Sequence, residues 1–581
     1  MWRDRERRGG PGTVLTEQIL ATETVKSRAI RVRRRRRAVW PAVWIAAIAC
    51  LALLHAWHLR ADFPNGSPWT SDGAKYTDEG WYGNAAIRAH LFGNWYVAGD
   101  FNPAVAVPAW PFLEWLLFFS TGVTIAAARG LAVACFFLNL VLSYLLLRGP
   151  GSGGPDPASG AESRGPRWMA LLGVTLAVTS PFLYCFSRLA ILEPLETTLI
   201  LAAMNLAVRL GNLRRPVQAS AWIGFLFALA VLTKTTGLFL LPALLWAVVV
   251  ALWDERRVAW RCALATTGVA GLVYGAWMAV VAAAGLVGDL KYYFFINTYR
   301  KPPEFGWQLV AFWWSFHGLL WVDRGLIAIA GAVVLAAALG WRSAWGRELW
   351  RNPLFGASLW AVAGCVLFMT MQNHPQPRYY VVPAYFCFFV VALGAAALLG
   401  EPRKSGQPGQ RGQPVWVRGM GWAVAIAAIA AAAVDGAETM RYAAHPQYTW
   451  ANAAAGLASY MDAHPNGKRL LTSISGDQIT LFTHVPSLCD DFSQPNLPSK
   501  LKRYQPGWYA TWNVLDPSSL KDLHAVYSLE EVASFQALDD PDRNFLVLFK
   551  LHPLPGGEVR NGGGENLKIA LPGDQIAIPI E

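Results

Sequence analysis

Charge is what this chain has least of. Only 15% of its 581 residues are Asp, Glu, Lys or Arg, whereas soluble domains carry about 25%. Cysteine is scarce as well. Cys50, Cys135, Cys185, Cys262, Cys365 and Cys387 fall in or beside apolar runs, and Cys489 alone lies in polar sequence. That distribution excludes a disulfide framework and offers no CxxC metal site, which leaves most of the thiols as small buried apolar side chains. His90, His317 and His374 stand singly, without the spacing of metal ligands. No internal repeat is obvious. No cleavable signal peptide is apparent, because the first apolar segment starts near residue 39 behind a long Arg-rich stretch.

Apolar sequence is abundant in compensation. Hydrophobic residues make up 54% of the chain, and several of its 28 Trp lie near the ends of apolar runs, as interfacial anchors do. The composition is that of an all-α polytopic membrane protein. The net charge of +12 resides largely in residues 1–38 and in short loops, so it reads as a determinant of membrane orientation and not as a nucleic-acid surface. Residues 1–38, ending in five consecutive Arg from Arg33 to Arg37, are expected to be a disordered cytoplasmic tail attracted to membrane lipids.

A spanning helix needs about 20 apolar residues. Candidate spans fall near 39–59, 127–147, 168–186, 190–208, 218–233, 236–253, 260–286, 325–341, 355–372, 379–399 and 416–434. The segment 108–122 is shorter, proline-broken and carries Glu114. If it lies in the interface instead of crossing, the basic tail and every later Arg-rich loop fall on one side, the cytoplasmic one. The expected membrane domain, 39–435, therefore has about eleven spans. Its first outer loop, 60–126, carries interfacial helices. A small extracytoplasmic α/β domain follows at 436–560, then a tail at 561–581 that ends in a strand. Within that domain "KRLLTSIS" and "RNFLVLFKL" read as strands and "SLEEVASFQAL" as a helix.

This topology gathers charges at the outer surface. The first loop brings Asp78, Glu79, Arg88, His90 and Asp100; the 187–198 junction brings Arg188, Glu193 and Glu196; later turns bring Lys234, Lys291, Arg300, Lys301, Glu304, His374 and Arg378. Charged groups at membrane depth are costly and imply a partner or a cavity. Singly, each has a plain structural reading. Arg188 and Glu193 can lock two helices together, Lys234 and Arg378 can snorkel to headgroups, and Asp78 and Glu79 can be solvated loop residues. As a set of carboxylates and cations from distant segments, they suit a polyprenyl-phosphate sugar donor. Lys and Arg hold the phosphate and the charge that grows on it, while a carboxylate takes the proton of the acceptor hydroxyl.

The motifs "TDEGWYGNAAIRAHLFGNWYVAGDF", "PFLYCFSRLAILEPLETTLI", "LTKTTGLFLLP" and "PRYYVVPAYFCFFVVALGA" occur in an order that resembles the protein O-mannosyltransferase and lipid A aminoarabinose transferase families. Both belong to the GT-C superfamily of polyprenyl-phosphate-dependent glycosyltransferases. The likeness covers about residues 39–400. It implies Asp78 as base or acceptor-positioning group with Glu79 beside it, Lys234 and Arg378 at the donor phosphate, and Glu193 and Arg188 lining the same cavity. Relatives often carry a Lys or a Pro-Pro pair where this chain reads "NPAVAVPAWPFLEW", so the phosphate must lean on Lys234, Arg378 and one of Lys291, Arg300 or Lys301. Arg300 is the expected third cation.

The expected function is transfer of a sugar, with inversion, from an undecaprenyl-phosphate type donor to an extracytoplasmic glycan, lipid or protein. The expected location is a prokaryotic inner membrane, with the N-terminus inside and the C-terminal domain outside. The sequence singles out no definite cofactor, although Asp78 and Glu79 could share a divalent cation. The alternative is a transporter or lipid-linked-sugar flippase. Transporter folds often carry inverted repeats and broken helices near the midplane, whereas the charges here cluster at one face.

Overall fold

The computed structural model describes residues 40–70, 72–149, 166–297, 324–370, 376–400, 413–490, 497–513, 517–540, 543–555, 565–570 and 575–580. Two compact units make up the chain, Met1–Leu51 and Ala52–Glu581. Of the first, the described part is the start of the apolar helix Trp40–Ala56. The basic tail 1–38, Arg300, Lys301, Glu304, His317 and His374 lie outside the described residues.

Each of the eleven apolar segments carries helix. Among the described residues, five helices qualify as spans by length and hydropathy, or up to seven if each of two bent pairs is one span, and Trp40–Ala56, Thr235–Ala251 and Pro353–Met369 are apolar but shorter. The shortfall from eleven uninterrupted spans has local causes. The 168–186 segment bends by 65° between Arg167–Thr179 and Pro181–Ser187, where the Ser180 hydroxyl accepts the Leu183 N–H and starts a new helix at Pro181. The 190–208 segment winds up only at Glu193 and gives a helix of 15 residues, Glu193–Ala207.

Long apolar side chains point outward along these helices. Trp222, Trp260, Leu264, Leu272, Ile426 and Val434 are all exposed. Soluble proteins rarely leave so much apolar surface open, so these faces are lipid-facing and the chain is an integral membrane protein. The Pro377–Leu399 helix is the opposite case, with 89% of its apolar window buried against 17% for Arg256–Ala283. It forms the centre of the bundle and carries Arg378 at one end. The helix Ala109–Thr121 has 13 residues and stops at Gly122, whose φ of 68° L side chains rarely adopt. Its rise of about 20 Å is well short of the hydrocarbon core, as expected for an interfacial helix.

The C-terminal domain is a mixed sheet with helices. Strands β1 (Lys468–Thr472), β2 (Ser487–Leu488), β3 (Pro506–Trp512), β4 (Tyr527–Gln536) and β5 (Phe545–Pro553) lie in the order β2-β1-β3-β5-β4. β1 is parallel to β2 and β3, while β5 is antiparallel to β3 and β4. Expected strands at 468–475 and 543–551 are present as β1 and β5. The expected helix at 528–538 is wrong: that stretch is edge strand β4, paired with β5 along its length and shifted in register between Glu531 and Ala533. Leu529, Val532 and Ala533 fall at a helical spacing, whereas cross-strand pairing decides the conformation. The tail forms a further hairpin of β6 (Glu565–Ala570) and β7 (Gln575–Ile580).

Asp62 ties the first outer loop to this domain. Its carboxylate accepts from the Thr449 hydroxyl at 2.7 Å and the Trp450 N–H at 3.1 Å, which caps the Thr449–Ala463 helix from a distance. Asp62→Ala is therefore expected to lower stability by about 1–2 kcal/mol, read as a lower thermal midpoint of the purified protein; an unchanged midpoint would remove the cap from the account.

Candidate active site

One end of the bundle is crowded with buried charge. Arg378 follows Pro377 in a short 3-10 turn, Pro377–Tyr380, at the head of the central helix. Asp72 grips it twice, accepting from its backbone N–H at 2.9 Å and pairing with its guanidinium. The same guanidinium reaches Asp78 at 2.8 Å and approaches Glu193 at 3.8 Å. Asp72, Asp78, Glu193 and Arg378 are all buried.

Local sequence explains each placement. Glu193 opens a helix whose next residue is Pro194, so its carboxylate sits at the positive end of the helix dipole. Lys234 ends the helix Pro216–Thr233 in an extended conformation before the 3-10 turn Thr235–Leu240. That break turns its amine inward, where it pairs with Glu193 and lies 4.2 Å from the centre of the Tyr379 ring. Glu196, one turn beyond Glu193, accepts from the Thr236 hydroxyl at 2.8 Å. Four carboxylates (Asp72, Asp78, Glu193, Glu196) thus meet two cations, Arg378 and Lys234.

Asp78 is one of the carboxylates disturbed by this crowding. Burial pushes its pKa up to about 6; Arg378 and the Thr77 hydroxyl, 2.9 Å from its Oδ1, pull it down, and Asp72 and Glu193 push it up. Tyr82, Tyr293 and Tyr379 also feel its charge. A carboxyl that ionises near pH 6 is a competent proton acceptor close to neutrality.

Glu79 is not in this cluster. Its two oxygens take Nε and a terminal nitrogen of Arg129, both at 2.6 Å. Arg129 in turn donates to the carbonyls of Leu59 and Ala61, and Glu79 accepts the Ala190 N–H at 2.9 Å. Adjacent positions on one turn of helix diverge by about 100°, so the two carboxylates serve different arginines and do not share a cation. Among the described residues, no group of three or more His, Cys, Asp or Glu side chains could hold a metal ion.

Arg188 also lies apart. It bonds the Tyr184 hydroxyl and the carbonyls of Trp57 and His58, at 2.7 and 2.6 Å, instead of pairing with Glu193. Of the residues singled out in the sequence, the structure brings Asp78, Glu193, Lys234 and Arg378 together. Glu79 and Arg188 tie segments nearby, and Arg300 is outside the described residues. Sequence reasoning missed Asp72, which sits in a turn-like "SDG", and Arg129, near the start of an apolar span. For Arg129 the signal was available, since an arginine in an apolar helix requires a partner.

No protein-family model matches the chain, and neither does any curated protein sequence. Its fold does have solved counterparts. It resembles ArnT from Cupriavidus metallidurans bound to undecaprenyl phosphate, with a TM-score of 0.54 at 14% identity over 89% of this chain and 99% of that one. The apo state of the same ArnT gives a TM-score of 0.55 at 14% identity, over 90% and 99% of the two chains. The chain therefore shares the fold of ArnT.

The Glu79–Arg129 pair carries its own test. Arg129→Leu leaves a buried carboxylate unpaired and should destabilise the protein by about 3–5 kcal/mol. Adding Glu79→Gln should restore part of that loss in a double-mutant cycle. Strictly additive losses would mean that the pair is not coupled.

Proposed function

We propose that the chain is an integral membrane glycosyltransferase that moves a sugar from an undecaprenyl-phosphate type donor to an extracytoplasmic acceptor hydroxyl, with inversion. The observation that carries this reading is the Arg378–Asp78 contact, with Lys234 and Glu193 beside it, at one end of a GT-C fold. ArnT, which shares that fold, has been crystallised with undecaprenyl phosphate. Charge gathered at one end of the bundle also favours a surface reaction over a transport path.

In this reading Lys234 and Arg378 hold the donor phosphate, with Arg300 as a third cation. The acceptor oxygen attacks the anomeric carbon from the face opposite the phosphate. As the new bond forms, the bond from that carbon to the phosphate oxygen breaks, and its electron pair leaves with the phosphate. The phosphate then gains one unit of negative charge, which the two cations stabilise more than they stabilised the intact donor. Asp78 takes the acceptor's proton. Glu193 orients the Lys234 amine, and Glu79 fixes the turn that carries Asp78. A phosphodiester needs no protonation to leave, so no general acid is required.

Purified protein in liposomes, given a panel of undecaprenyl-phosphate-linked hexoses and pentoses, should release or transfer one of them. Arg378→Ala and Lys234→Ala should each weaken binding of undecaprenyl phosphate by about 10- to 100-fold, the size of a charge-assisted contact. Asp78→Asn should retain binding and lose turnover. Full transfer by Asp78→Asn together with full transfer by Arg378→Ala would sink the mechanism.

The pH dependence follows from Asp78. Below about 6 its carboxyl gains a proton and can no longer accept one, so kcat/KM should fall about tenfold for each further pH unit. A profile flat down to pH 4 would rule Asp78 out as the base. Orientation is checked separately. A cysteine at Asp462, an exposed carboxylate of the C-terminal domain, should react with a membrane-impermeant maleimide in intact cells, and labelling only after lysis would reverse the topology.

A further inference from the structure

We propose that the C-terminal domain is part of the catalytic unit, and that its helix Gly476–Thr483, acting through Gln478, positions the single helical turn that carries Asp78. This rests on the glycosyltransferase reading.

The turn in question, Asp78–Trp81, is four residues long and has no side-chain N-cap. One turn of helix does not hold itself, so neighbours must set its direction. Two anchors come from the membrane helices, Arg378 on Asp78 and Arg129 on Glu79. The remaining side is closed by the C-terminal domain. A Cβ added at Gly80 would lie 2.1 Å from the backbone nitrogen of Gln478 and 2.2 Å from the carbonyl carbon of Asp477. Glycine is thus what lets the two helices touch backbone to backbone.

Hydrogen bonds fix the contact in register. The Gln478 amide donates to the Lys75 carbonyl at 3.0 Å and, more weakly, to Glu79 Oε2 at 3.4 Å. The Trp81 indole donates to the Ile474 carbonyl at 3.0 Å. One turn further on, Asn84 and Arg88 both reach Asp477, at 3.1 and 3.0 Å. Arg88 also pairs with Asp100 at 2.7 Å, and Asp100 with Lys500 at 2.9 Å. Every polar side chain in this seam is buried, so water cannot readily replace a lost partner. Asp78 is held between the bundle on one side and the Gly476–Thr483 helix on the other. Without the second support the turn pivots about the Arg378 contact, and small displacements of a catalytic group cost rate steeply.

The test uses the full chain in nanodiscs with Gln478→Met, which keeps side-chain length and removes the donor. Trp81→Phe serves as a second, milder variant should the first fold poorly. Amide exchange of residues 76–82, read by mass spectrometry, should rise at least several-fold, while exchange in Pro216–Thr233 stays unchanged. Affinity for undecaprenyl phosphate alone should stay within twofold of wild type. Turnover of whichever undecaprenyl-phosphate sugar the wild type uses should fall about 10- to 100-fold, and the acid limb of the pH profile should move. Unchanged exchange over 76–82 overturns the proposal whatever the activity. Faster exchange with turnover per folded molecule and acid limb both unmoved also overturns it, because the contact is then only structural. If the wild type neither binds undecaprenyl phosphate nor releases sugar, the glycosyltransferase reading fails, and the exchange measurement still decides whether Gln478 positions the turn.

Discussion

The buried guanidinium of Arg378 is the interaction on which the rest of the outer end depends. It joins the central helix to Asp72 and Asp78 of the first outer loop and faces Glu193 at the start of another helix. A cation taken out of water is tolerable only when its partners are close and well placed. The segments that supply those partners are therefore bound to one another through it. This one residue also sets the ionisation of Asp78, because its charge opposes the desolvation that would otherwise push that carboxyl up.

A second arginine does the complementary work. Arg129 holds Glu79, the backbone near residues 59–61 and, through Glu79, the turn at Ala190. Two neighbouring carboxylates thus divide into one crowded by other acids and one neutralised by a bidentate partner. The C-terminal domain closes the third side with Asp477, which joins Asp100 of the first outer loop around Arg88. Asp477 is likewise pushed up by burial to about 6.

Much of this was legible in the sequence because membranes make charge informative. Glu193, Lys234 and Arg378 stood out as charges at the ends of apolar runs, and the structure places them together with Asp78. The spans were legible as helical segments, although a break at Ser180 divides the 168–186 segment. What remained hidden depended on long-range partners. Asp72 looked like a turn residue until Arg378 was seen in its grip. Arg188 and Glu193 are close in sequence yet diverge in space. Strand β4 carries a sequence that suits a helix, and its pairing with the next strand, β5, decides otherwise. Gln478 had no signal at all, because a neutral amide in a mixed domain is not costly enough to announce a role.

The most direct measurement is an experimental structure with undecaprenyl phosphate bound. The account predicts phosphate density between the Lys234 amine and the Arg378 guanidinium, with Asp78 on the side from which an acceptor approaches. Phosphate density at a different end of the bundle, with Arg378 still held by Asp72 and Asp78 and out of reach of the lipid, would contradict it.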